Sequence, residues 1–205
     1  MQLIPCKDQY LYLEPSNIID YNHPTIIKKV KALTESCQTE LEKAQKIFEF
    51  VRDEISHSFD IQNVLITCKA SDVLAKGHGI CFAKSHLLAA MARTMGIPAG
   101  FCYQKLIFDE QKSKVSTTLH GLNAIYLKDF KKWIRLDPRG NKRGVQAEFC
   151  IEKEILAFPV RQELGEQDYP KIYSEPDSSV IQCLLTTKCW NWETIDTELP
   201  NQLLG

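Results

Sequence analysis

No stretch of this 205-residue chain approaches the roughly 18 consecutive apolar residues that a membrane span requires. Nor does it open on a basic segment followed by an apolar run of signal-peptide length, because Met1 to Pro5 leads directly into Cys6-Lys7-Asp8. These two absences predict a cytoplasmic protein with no membrane partner. Charge of one sign is missing as well. The formal net charge is −1, so no overall field holds nucleic acid or an anionic surface. Lys128, Lys131 and Lys132 cluster only locally and read as a solvated turn. Internal repeats and low-complexity tracts are also lacking.

The eight cysteines include no C-x-x-C pair and none of the close Cys/His spacing of a zinc site, so no metal is expected. No organic cofactor is expected either. In a reducing compartment widely spaced cysteines default to free thiols, most of them acting as small buried apolar residues. What is present is ordinary globular material, 44% hydrophobic and 25% charged. That length supports a core without disulfide or metal staples. The expected organisation is one domain over 1–205, with its core at about 40–140. A helix at about 24–36 and a tail over 145–205 pack on that core.

The periodicities run helices first, then strands. Ile26, Ile27, Val30 and Leu33 mark a helix that ends near Ser36. Leu41, Ala44, Ile47, Phe48, Val51 and Ile55 form one stripe of a second helix, from about Glu40 to Ile55. Ser71-Asp72 reads as the cap of a short helical turn that Gly77 and Gly79 end. Ile80 to Met95 is the most apolar helical segment, stopped by Gly96 and Pro98. Ala99 to Phe108, His120 to Leu127 and Lys132 to Leu136 read as strands, with a polar loop over 109–118. This order predicts an α+β fold. Trp190 and Trp192 are expected to cover the core.

Cys81 stands apart from the other cysteines because it opens the apolar helix behind Gly77-His78-Gly79-Ile80. A helix N-terminus offers free N–H groups and the positive end of the dipole, which favour a thiolate and can receive the oxyanion formed when a carbonyl is attacked. The two glycines are expected to let a substrate backbone approach the sulfur. Of the five histidines, His120 is the best-placed base. If the turn between the last two strands is centred between Lys128 and Asp129, His120 lies directly opposite Asp137, which can accept the imidazole N–H. A slip of one residue would put the pair on opposite faces.

The segment ASDVLAKGHGICFAKSHLLAAMARTMGIPA resembles the nucleophile helix of the transglutaminase-like superfamily. LHGLNAIYL and WIRLDP resemble its histidine and aspartate strands, and KAQKIFEFVRDEI fits the helix before them. The resemblance implies a papain-like transglutaminase core, with the nucleophile helix packed on an antiparallel β-sheet. It also implies a Cys-His-Asp triad at Cys81, His120 and Asp137. Small members usually carry an upstream aromatic or amide side chain that assists the oxyanion, for which His57 and Gln62 are the candidates. His78 at the pocket rim and Trp133 at its wall complete the candidate substrate-binding residues. Nothing resembles the calcium-binding loops or flanking β-domains of large transglutaminases, so a calcium-dependent cross-linker is not expected. The expected function is an amide or peptide hydrolase or acyl-transferase working through a thioester on a protein, peptide or small amide. N-acetyltransferase-like acyl transfer and a non-catalytic protein-binding module on the same fold remain the alternatives.

Overall fold

A computed structural model describes residues 1–109, 116–191 and 193–204. Most of the loop expected over 109–118, and Trp192, lie outside the described residues. In chain order the elements are β1 (Ile4–Pro5), α1 (Pro24–Thr34), α2 (Glu40–Glu54), β2 (Ser56–His57), α3 (Ala70–Lys76), β3 (His78–Gly79) and α4 (Cys81–Thr94). There follow β4 (Ala99–Asp109), β5 (Ser116–Leu127), β6 (Lys132–Leu136), β7 (Gln167–Asp168), β8 (Lys171–Ile172), α5 (Ser178–Thr186) and α6 (Ile195–Glu198). The architecture is α+β, as the order of periodicities predicts.

Local chemistry sets the helix ends. Pro24 sits in the first turn of α1, where its missing N–H costs nothing. Thr39 and Glu42 form a capping box on α2, with Glu42 N–H donating to Thr39 Oγ1 at 3.2 Å and Thr39 N–H to Glu42 Oε2 at 3.1 Å. The Ser71-Asp72 cap on α3 is a correction. The acceptor is Asp20, fifty-one residues away in sequence, whose carboxylate takes Ser71 N–H at 3.0 Å and Ser71 Oγ–H at 2.5 Å. A capping carboxylate delivered through space leaves no local sequence signature.

Helix α4 is the centre of the molecule. Every residue from Phe82 to Arg93 is buried, because α1, α2 and α3 pack around it and the sheet covers the rest. That sheet runs β6-β5-β4-β7, all antiparallel. The core cluster joins Ile18 and Ile26 to residues as late in the chain as Ile195 and Leu199. Tyr12, Cys102, Leu122, Ala124 and Ile172 form a second cluster on the other face of the sheet. Trp190 is buried in the main core.

The β5–β6 register differs from expectation. The turn occupies Lys128–Lys131 rather than closing on Lys128-Asp129, so Leu127 pairs with Lys132 and Asn123 with Leu136. Continued one pair further, this register sets Asp137 opposite Leu122 and leaves His120 two residues along. A shift of two preserves the face of the sheet where a shift of one would not. His120 and Asp137 therefore still meet, diagonally rather than directly opposed.

Candidate active site

Cys81 occupies the first position of α4, and the residue before it, Ile80, has no side chain able to cap the helix. Lys84 N–H is satisfied by Ile80 O at 2.9 Å. The N–H groups ahead of it belong to those that an α-helix leaves open, and they face whatever meets Cys81. Gly121, next to His120 on β5, brings the strand against this helix start. A Cβ there would stand 2.5 Å from Phe82 Cδ1 and 3.5 Å from Phe82 Cα. Only glycine permits that approach.

His120 is 5% exposed and Asp137 0%. His120 Nε2 donates to Asp137 Oδ2 at 2.8 Å. The carboxylate also accepts Arg139 N–H at 3.1 Å and Ala157 N–H at 3.1 Å. Burial by itself would raise the Asp137 pKa, but the imidazolium and these N–H donors carry it below the usual carboxylate range. On His120 burial opposes the charged ring. Asp137 and then the hydrogen-bonding Cys81 side chain outweigh it, raising the ring to about 10. With Nε2 engaged by Asp137, Nδ1 is the nitrogen left for Cys81.

Cys81 and His120 open onto a cavity of about 470 Å³, within the range of ligand-binding sites. A model of the transglutaminase-like superfamily matches residues 27–138, more than half of the chain. The chain belongs to the transglutaminase-like superfamily. Among solved structures it is similar to a candidate cysteine protease from Cytophaga hutchinsonii, at 18% identity and a TM-score of 0.51 over 67% of this chain and 45% of that one. This likeness is one of fold, and the chain spans less than half of that protein's length. A candidate protease from Parabacteroides distasonis is matched at 14% identity and a TM-score of 0.38, over 66% of this chain and 28% of that one. No curated protein matches the chain.

The transglutaminase-like core brings only some of the expected residues to the cavity. His57 lines it. Its Nδ1 accepts Phe59 N–H at 3.3 Å, which leaves the ring proton on Nε2. Burial and then the Arg139 cation hold the ring well below its ordinary pKa, so it is a neutral N–H donor. Gln62 is exposed, in a turn where its own φ is 51°, and does not line the cavity. His78 is buried behind the site with its Nδ1 3.0 Å from Ser58 Oγ, and it too is absent from the lining. Trp133 lies on β6 against Tyr12, 4.8 Å between ring centroids, beside a separate cavity. The hydrophobic alternation of β6 does not tell a wall of one cavity from a wall of another.

The glycine reading also changes. Gly77 ends α3 in the left-handed region at φ 69°, and Gly79 packs on the helix itself, where a Cβ would stand 2.9 Å from Ala83 Cβ. Neither admits a substrate to the sulfur.

The transglutaminase-like site has further parts that sequence reasoning missed. Arg139 lines the cavity and pairs with Asp60 at 2.5 Å and 2.9 Å, while Lys142 reaches Asp60 at 2.6 Å. Burial would raise the Asp60 pKa, but these two cations carry it well below the ordinary carboxylate range. Lys84, three residues after Cys81 and fully buried, donates to Arg52 O at 3.2 Å and to Ile55 O. It thereby joins α4 to the open carbonyl end of α2. Burial, then Arg139, depresses the Lys84 pKa to about 7. Its signal in sequence was a lysine on the buried face of an otherwise apolar helix.

Proposed function

We propose that the chain is a cysteine-dependent amide hydrolase or acyl-transferase in which Cys81 is the nucleophile, His120 the base and Asp137 its positioning carboxylate. The observation that carries this reading is the buried His120–Asp137 bond of 2.8 Å on the wall of the cavity that Cys81 also lines. The Cys81 sulfur attacks the amide carbonyl carbon, and the proton that the thiol gives up resides on His120. The oxyanion receives hydrogen bonds from the open N–H groups at the start of α4 and from His57 Nε2–H. Collapse breaks the C–N bond, His120 gives its proton to the leaving amine, and a thioester remains on Cys81. Water, or a second amine, then attacks the thioester with His120 as base, releasing acid or transferred amide and restoring the thiol.

The test is site-resolved alkylation by iodoacetamide, read by mass spectrometry, with exposed Cys6 and Cys189 as internal references. At about pH 6.5 Cys81 is expected to react faster than either reference, and His120→Ala to remove the advantage. If Cys81 reacts no faster than Cys6 and Cys189, the catalytic reading falls and a binding module takes its place.

A further inference from the structure

The cavity has a strongly one-sided lining away from Cys81 and His120. Its walls are Phe59, Leu106, Phe108, Leu119, Phe158 and Leu199, drawn from five separate stretches of chain. The direction of the cavity follows from the β4–β5 register. His120 pairs with Gln104, and Leu106 pairs with Thr118 two residues further along the hairpin. Two residues of strand span about 7 Å, so this second pair lies one step beyond the reactive row on the same face, and Phe108, at the bulge between Ile107 and Asp109, lines the cavity as well. The pocket thus extends from the sulfur along the hairpin instead of opening only across it.

The charged groups in this lining are already satisfied. Arg139 is held by Asp60. Arg161 donates to Glu166 Oε1 at 2.5 Å, and buried Glu166 also accepts Ile107 N–H at 3.1 Å and Arg161 N–H at 2.8 Å. His120 is engaged by Asp137. A substrate carboxylate or ammonium placed here would be desolvated against walls whose charges are already paired.

We propose that this cavity holds the acyl half of the substrate, and that the acyl group is large, apolar and uncharged. The proposal rests on the Cys81 reading and extends it to substrate class. An acyl chain bonded at its carbonyl to the Cys81 sulfur runs along the wall formed by Leu106, Phe108 and Leu199. Each methylene buried there strengthens acyl-group binding by roughly fourfold.

The experiment uses the full chain and p-nitrophenyl esters of acetate, octanoate, N-acetyl-phenylalanine, and suberate as its mono-ester. Suberate matches octanoate in length but ends in a carboxylate. In each case the Cys81 sulfur bonds to the acyl carbon, the C–O bond breaks, p-nitrophenolate leaves, and the thiol proton passes to His120. Acylation of Cys81 is followed by mass spectrometry, and each rate is divided by that of free cysteine with the same ester. The octanoyl or the N-acetyl-phenylalanyl ester is expected to acylate Cys81 at least about tenfold faster than acetyl. The suberyl ester should fall below octanoyl by a similar factor. The faster of the two apolar esters tells whether the acyl group is aliphatic or an aromatic aminoacyl. Leu106→Asp should bring the octanoyl-to-acetyl ratio close to one. Leu106→Ala, a gentler change should the aspartate prevent folding, should lower the ratio partway. Octanoyl and N-acetyl-phenylalanyl rates both no greater than acetyl, or suberyl the fastest, overturn the cavity proposal alone where Cys81 still shows His120-dependent alkylation. Loss of that alkylation preference in the wild type overturns both readings.

Discussion

At His120 two effects act on one imidazole. Burial favours the neutral ring, and the Asp137 carboxylate at 2.8 Å favours the charged one and wins. Between an ordinary pKa of about 6.5 and the raised value of about 10, the folded chain holds a proton that the unfolded chain has lost. The stability from this pair is therefore complete below about pH 6.5 and disappears as pH rises towards 10. The difference in urea midpoint between wild type and His120→Gln is expected to shrink across that window, and a constant difference would contradict the pairing. His86 carries the opposite sign. Buried, with Nδ1 2.8 Å from Cys68 O, it is depressed to about 4, because burial outweighs the stabilising carbonyl. Its contribution is complete above about pH 6.5 and lost as pH falls towards 4. Asp137→Asn should slow acylation of Cys81 by roughly 10³-fold to 10⁴-fold, since an amide can present an N–H to the ring and stabilise the wrong tautomer. Single-turnover acylation rates measure this directly.

At the scale of elements, α4 is set by two contacts, Gly121 against Phe82 and Lys84 against the end of α2. Gly121→Ala forces a methyl group to within 2.5 Å of Phe82. It should cost about 1–3 kcal/mol in urea unfolding, with Cys81 alkylation falling further than stability alone explains. Lys84→Met leaves the carbonyls of Arg52 and Ile55 without their donor. It also removes a pH dependence opposed to that of His120. With its pKa depressed to about 7, Lys84 makes the folded state more stable as pH rises from there towards 10.5. The Lys84→Met chain should therefore lose stability between pH 7 and 10 more steeply than wild type, measured by the same urea midpoints. The elements themselves were mostly legible in the sequence, since α1, α2, α4 and β6 obey their apolar periods. The register was not, because a four-residue turn and a two-residue turn leave the same alternation on both strands. The His120–Asp137 pairing was legible even so, because the two-residue error kept the face. Gln62 and Trp133 failed as site residues for a different reason. Gln62 depends on the conformation of a turn, whereas Trp133 shares the face of Asp137 but lies four residues back along β6, about 13 Å away and beside the separate cavity, and neither is written in local composition.

At the scale of the whole molecule, the site draws on residues as far apart in sequence as His57 and Leu199. Ala157 N–H completes the Asp137 carboxylate, Leu199 closes the cavity, and Pro200 O accepts Leu119 N–H at 2.7 Å beside His120. The irregular composition after residue 145 hides this, because its contribution consists of single long-range contacts rather than a periodic face. No described helix is long and apolar enough to cross a membrane. If the segment after residue 145 were a flap laid over a finished core, its loosening would expose the cavity without affecting global unfolding. The shared core cluster, running from Ile18 to Leu199, argues for one cooperative unit. Leu199→Ala separates the two cases. Leu199 is 8% exposed, and its truncation should cost about 2–4 kcal/mol in urea unfolding. Hydrogen exchange at the Leu119 amide should accelerate by the factor that this loss implies, roughly tenfold for each 1.4 kcal/mol. Fast Leu119 exchange with an unchanged urea midpoint would instead identify a flap that opens by itself. The measurement pairs native-state exchange at one amide with global unfolding, and cooperativity requires the two free energies to move together.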